Sequence, residues 1–180
     1  MAISERAKAY AASLAPIKEA IALYAEEVFT KAKVERRFIF DKNQNNWAGL
    51  LRSPKDVGPN GEKRVNCISV YYDGLDLQDD DYALILNSMR PMVPIGIAYY
   101  REFILGTDKA NSEDQMQEDI ALFQFTVAEH KDLGLDGIQG HSGIRVPKLV
   151  FDALGDTPVF MGASKLRVFL SPRQTVGGIG

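Results

Sequence analysis

Few residues in this chain are suited to chemistry: two histidines, His130 and His141, one cysteine, Cys67, and a run of carboxylates from Asp73 to Asp81. A Ser–His–Asp or Cys–His centre would have to recruit one of those histidines, because the nucleophile needs a base within hydrogen-bond reach. His141 and Ser142 are adjacent in sequence, where that geometry is rarely met, and the chain has no Gly-x-Ser-x-Gly elbow. His130 reads as a surface residue. One enzymatic arrangement remains, a hydrolase-like pairing of Asp73 or Asp76 with His130, assisted by tyrosine.

Hard cations need several oxygen ligands converging on one point, and Asp73-Gly-Leu-Asp76-Leu-Gln-Asp79-Asp80-Asp81 supplies them densely. Its spacing departs from the calcium loop, which wants alternate carboxylates, a glycine at the sixth position and a closing Glu. The run therefore reads as a solvated turn. Two His and one Cys are too few for a structural zinc site. Gly137, Gly140 and Gly143 stand three apart and could aim backbone N–H groups at a phosphate. No Lys follows at P-loop spacing and the dinucleotide-binding glycine pattern is absent, so Gly134 to Gly143 reads as a connector. No catalytic, cofactor-binding or metal-ligating set is expected.

The bulk numbers agree. A chain of 180 residues with 46% hydrophobic and 25% charged side chains is expected to form one globular domain with a sizeable core. Its 21 basic and 24 acidic side chains argue against a broad phosphate-binding surface, so no sequence-specific nucleic-acid partner is expected. Cys67 lies in an apolar run and reads as a buried thiol. No stretch approaches the roughly 18 apolar residues of a membrane span. The opening Met-Ala-Ile-Ser-Glu-Arg has no apolar region behind it to make a secretion signal.

Tyr10, Leu14, Ile17, Ile21, Tyr24 and Val28 recur at steps of four and three, which predicts an amphipathic helix over about 4–31, kinked or restarted at Pro16. Strands follow at 34–41 and 64–72. In the second, Val65, Cys67, Ser69 and Tyr71 face one way and Asn66, Ile68, Val70 and Tyr72 the other. Between the two strands lies a long loop, 42–62, containing the apolar Trp47-Ala-Gly-Leu-Leu51. Ile95 to Leu105 is a long apolar strand. The segment after it reads two ways. Ser112, Glu113 and Asp114 followed by Met116, Ile120, Phe123 and Val127 would signpost a helix. The alternation Phe123-Gln-Phe-Thr-Val127 favours a strand over 118–129, closing a projecting hairpin over 95–129. A short helix at 147–154 capped by Gly155, a last strand at 165–170 and a flexible tail at 175–180 complete the chain. Strands outnumber crossover helices, which predicts an α+β fold: two helices on a mainly antiparallel sheet with a long β-hairpin.

Apolar residues in a polar loop must fold back on the core or enter a neighbour, so Trp47, Leu50 and Leu51 are candidate contact residues. Tyr99, Tyr100, Arg101 and Phe103, on the expected hairpin, are the second set. Arg36 and Arg37 are either an anion or partner-carboxylate site or simple strand-flanking charge.

This order of elements resembles that of the tail terminator and neck (head–tail joining) proteins of tailed bacteriophages. The likeness spans nearly the whole chain: helix 4–31, strands 34–41 and 64–72, hairpin 95–129, helix 147–154 and strand 165–170. It lies in topology, not in a short motif, so no individual positions are carried over. The resemblance implies a non-enzymatic virion subunit, assembled in the host cytoplasm. It would form a homo-oligomeric ring and contact tail tube and connector, with no cofactor and no membrane. The rival reading is a small-ligand-binding α+β module, with a pocket between helix and sheet lined by Tyr10, Tyr24 and Tyr71.

Overall fold

The structure, a computed structural model, describes residues 3, 5–39, 47–74, 92–104, 109–145 and 147–171. In chain order the elements are α1 (Glu5–Val28), β1 (Lys33–Glu35), α2 (Trp47–Leu50), β2 (Arg52–Val57), β3 (Lys63–Tyr72), β4 (Met92–Glu102), α3 (Lys109–Glu129), β5 (Ile138–His141), β6 (Val150–Leu154) and β7 (Thr157–Leu170). The class is α+β, as the sequence predicts.

The apolar run of β4 sets the architecture. It pairs antiparallel with β7 continuously from Met92↔Phe169 to Glu102↔Val159, and on its other side with β3 from Tyr72↔Ile95 to Asn66↔Arg101. Among the described residues the seven strands make one sheet in the order β1-β3-β4-β7-β5, with β2 also on β3 and β6 also on β7. Only β1 runs parallel to its neighbour. Each flank of the sheet is thus split between two short strands.

Both faces of the sheet are buried. Ile68, Val70, Ile95, Ile97 and Tyr99 meet a helical layer made by Ile17, Ile21, Ala25 and Phe29 of α1 and its end, and by Met116, Ile120, Phe123 and Val127 of α3. Val65, Cys67, Ala98 and Tyr100 meet Ile39, Leu51 and Leu154 on the other face. The alternation read from 64–72 is therefore the actual division of β3 between two cores. The α1 stripe is also as expected. Pro16 sits inside one unbroken helix, on its exposed side, where the Ala12 carbonyl that loses its partner also lies.

Several expectations fail. The strand over 118–129 is instead part of α3, so the hairpin over 95–129 does not form. Met116, Ile120, Phe123 and Val127 are the buried residues of this segment, at steps of four, three and four. The four-residue alternation lost to that longer period, because a helix here seals the open face of β4. The helix expected at 147–154 is strand β6, and Gly155, with φ of 63°, opens a two-residue turn to Thr157 instead of capping a helix. An isolated helix of that length has little intrinsic stability, whereas β7 offered a free edge to pair with. The loop at 42–62 holds α2 and β2, and β7 begins eight residues before the strand predicted at 165–170. The first strand is shorter than 34–41 and the Gly-rich connector contains β5. The stretch 75–91 and the tail 175–180 lie outside the described residues.

Gly96, opposite Tyr71 in the ladder, has a packing requirement of its own. A Cβ built there would fall 2.4 Å from the Tyr71 ring. The ring lies across the glycine and packs edge-on against Phe38 at 4.8 Å. Gly96→Ala should destabilise the chain by about 1–3 kcal/mol, as overpacking does. The cost should shrink in a Tyr71→Ala background, measured as a double-mutant cycle by urea denaturation. Additive losses would show that the ring and the glycine are independent.

Candidate functional site

At the end of the sheet where α1 runs out, a cleft of about 490 Å³ is lined by Lys31, Asp56, Arg64, Asn66, Arg101, Glu102 and Asp119 among others. Several of its polar and charged groups are tied up within the fold. Arg101 on β4 pairs with Asp119 on α3 at 2.5 Å, and Gln115 donates to the same carboxylate at 3.1 Å. Buried Asn66 donates to Asp56 at 3.0 Å. Glu102 accepts the Val65 N–H at 2.8 Å and faces Arg52 at 3.8 Å. This lattice of opposite charges ties β2, β3, β4 and α3 together; it presents no nucleophile with a base beside it. The expected pocket is not formed either. Tyr10 donates to the Met92 carbonyl at 2.9 Å, Tyr24 packs on His130 at 4.9 Å, and Tyr71 lies on the opposite sheet face.

Among the described residues, both histidines and Asp73 have structural partners. His141 Nε2 lies 3.0 Å from the Val127 carbonyl and 3.3 Å from that of His130, while its Nδ1 accepts the Gly143 N–H at 3.1 Å. The imidazole therefore caps the last carbonyls of α3 in the tautomer that carries hydrogen on Nε2. His130 Nδ1 stands 2.8 Å from the Thr126 carbonyl. Asp73 pairs with Lys165 at 2.8 Å, and Asp76 lies outside the described residues. Within the Gly-rich connector the Ser142 N–H donates to the Arg167 carbonyl at 2.9 Å and the Gly134 N–H to Asp132 Oδ1 at 2.9 Å. Arg36, offered as an anion site, clamps α1: its guanidinium holds Glu19 at 2.6 and 2.8 Å and Glu26 at 2.8 Å. The hydrogen bonds from Arg36 hold the Glu19 carboxyl below its ordinary range, against a small opposing effect of burial.

The predicted contact residues scatter. Leu51 and Tyr99 are completely buried within the subunit. Burial raises the Tyr99 phenol above its ordinary range, and its hydroxyl has no well-formed hydrogen bond. The neighbouring Ser164 hydroxyl partly offsets that rise, but its own hydrogen goes to the Arg145 carbonyl at 2.7 Å. Arg101 belongs to the cleft, and Trp47 opens α2 with its side chain outside the described residues. Leu50 is partly exposed. Phe103 alone joins a new constellation, an edge-to-face cluster with Phe151 and Phe160 at 5.5–6.0 Å.

Sequence reasoning missed exposed apolar side chains on several elements. Leu122 and Phe125 are 57% and 71% exposed on α3. Val150 and Phe151 stand out on edge strand β6, and Phe38 and Val57 on the opposite flank, near β1 and on β2. The β6 edge is partly shielded. The Pro158 carbonyl accepts from the Phe103 N–H just beyond β4, so Ala153 opposite it points its backbone outward, and its N–H donates to Asp152 Oδ1 at 2.8 Å. A carboxylate on an edge discourages unregulated strand pairing. Leu122 and Phe125 could have been found in the sequence as apolar residues surplus to the Met116–Val127 stripe.

No protein-family model matches the chain and no curated protein matches its sequence.

Cys67 is fully buried, and burial pushes its thiol up to about 12. The unfolded thiol ionises near its ordinary value of about 8.5. The contribution to stability is therefore full below that pH and lost as pH rises toward 12. Thiol reagents should leave the native protein unlabelled at neutral pH and label it once denaturant is added. Rapid native labelling would show a reactive, accessible thiol.

Proposed function

We propose that this chain is a non-enzymatic structural subunit that assembles with copies of itself into a ring, of the kind that closes the tail or forms the neck of tailed bacteriophages. One observation carries the reading: apolar side chains stand exposed on both flanks of the sheet and on the outer side of α3. A subunit in a ring meets two neighbours through two different surfaces, and each surface needs apolar area that an isolated protein would keep covered. His130, His141 and Asp73, meanwhile, are engaged in contacts within the fold.

The resemblance to tail terminator and neck proteins loses its hairpin and its second helix, because α3 stands where the second arm was expected and strand β6 where the helix at 147–154 was. The N-terminal helix, the antiparallel strands and the closing strand still speak for it. In this reading the partners are further copies of the chain and other virion proteins, the tail tube and the connector. The site of action is the virion, assembled in the host cytoplasm.

Negative-stain imaging of the purified chain, alone and mixed with uncapped phage tail tubes, tests the class. Rings, or tube ends closed by added density, are expected. Tubes that stay open beside scattered single subunits would overturn the phage assignment.

A further inference from the structure

The cleft where α1 runs out carries more charge than the fold itself uses. Arg101 is paired with Asp119, Glu102 accepts the Val65 N–H, and Asp56 accepts from Asn66. Two cations on the same walls are left over. The Arg64 side chain is only 23% exposed, yet its guanidinium makes no hydrogen bond among the described residues. Its nearest carboxylate, Glu62, stands 3.9 Å away and is half exposed. Lys31, exposed in the turn after α1, has no ion pair among the described residues. A guanidinium offers five donors in a planar fork. Covering most of that side chain without giving it an acceptor takes water away and returns nothing, unless the acceptor comes from outside.

The surface beside Arg64 is built to receive one. Arg64 and Asn66 stand two apart on β3, and Asn66 lies opposite Arg101 in the ladder, so all three project from the same face of the sheet. Asn66 is buried and donates to Asp56, but no group among the described residues donates to its amide oxygen. Half-buried Val28 and Ile104 supply an apolar wall. The volume, about 490 Å³, falls inside the range of small-ligand sites, about 300–1,000 Å³.

The carboxylates decide what fits. Asp56, Glu102 and Asp119 line the same cleft, so a dianion such as phosphate meets repulsion that a single carboxylate largely escapes. We propose that the cleft binds a small organic acid with one carboxylate and a hydrogen-bond donor on the adjacent carbon, an amino or hydroxy acid. Its carboxylate takes the fork of Arg64 as a charge-assisted pair, with Lys31 at the rim. Its donor goes to the Asn66 amide oxygen and to Asp56, and its side chain lies along Val28 and Ile104. The cleft is formed within one subunit, so binding there is independent of assembly.

Isothermal titration calorimetry of the full chain tests this with alanine, leucine and phenylalanine, their 2-hydroxy analogues, 3-methylbutylamine and inorganic phosphate. At least one amino or hydroxy acid should bind. Phosphate, and the amine that lacks the carboxylate, should bind at least about tenfold more weakly, the scale of one lost charge-assisted hydrogen bond. Arg64→Gln should weaken the acid by a similar factor, and Arg64→Lys, which keeps the charge without the fork, should restore part of it. Circular dichroism checks that both variants are folded. No binding by any of the acids at millimolar concentration overturns the proposal. So does an acid whose affinity Arg64→Gln leaves unchanged, or phosphate that binds more tightly than every acid.

Discussion

Everything in this structure depends on β4 being apolar on both faces. Ile95, Ile97 and Tyr99 point one way and Ala98 and Tyr100 the other, all buried. Leaving either set in water would forfeit about 1.5–3 kcal/mol per large side chain. A strand buried on both sides obliges the chain to build two covers. The helices α1 and α3 make one. The other comes from residues around Ile39 and Leu51 and from the β6 turn at Leu154. The Tyr99 hydroxyl is a local cost of that arrangement: the ring fills the core, and its oxygen is left without a good partner.

That constraint also explains what was legible in the sequence. Helix α1, strand β3 and strand β4 were readable because their periods run long enough to be unambiguous and their local preferences agree with their tertiary roles. In 118–129 local and global signals conflict. Phe123-Gln-Phe-Thr-Val127 favours a strand taken alone, but β4 already had β3 and β7 on its two edges and needed a helix over its face. The same blindness to long-range pairing hid β2 and β6, short strands that exist because β3 and β7 leave edges free. Among the contact residues, Leu51 looked available only because the loop around it looked loose. Phe103 was singled out for a projecting arm that does not form, and it sits instead in an aromatic cluster. Leu122 and Phe125 were visible as residues but not as a surface, which only the helical assignment reveals.

The polar chemistry follows the same economy. Arg36 with Glu19 and Glu26, Arg101 with Asp119, and His141 with the end of α3 each join elements distant in sequence. The Arg36 pairs are partly exposed and contribute little individually, whereas Arg101–Asp119 is more buried; together they add directional contacts to helices that the apolar core already packs. What lies beyond them is an uneven surface, with large apolar side chains exposed on α3 and on both flanks of the sheet. That unevenness, more than any single residue, is why assembly and not turnover is the function proposed.

The central claim is that Leu122 and Phe125, exposed on the outer side of α3, serve a neighbour and not the fold. Denaturation of the Leu122→Lys, Phe125→Lys double variant, at a concentration where wild type is a single subunit so that association adds nothing to stability, addresses it directly. Stability within about 0.5 kcal/mol of wild type is the result predicted for surface positions. A loss of about 3 kcal/mol or more, the scale of truncating a core aromatic such as Phe123, would show that the two side chains hold the subunit together and would contradict the account.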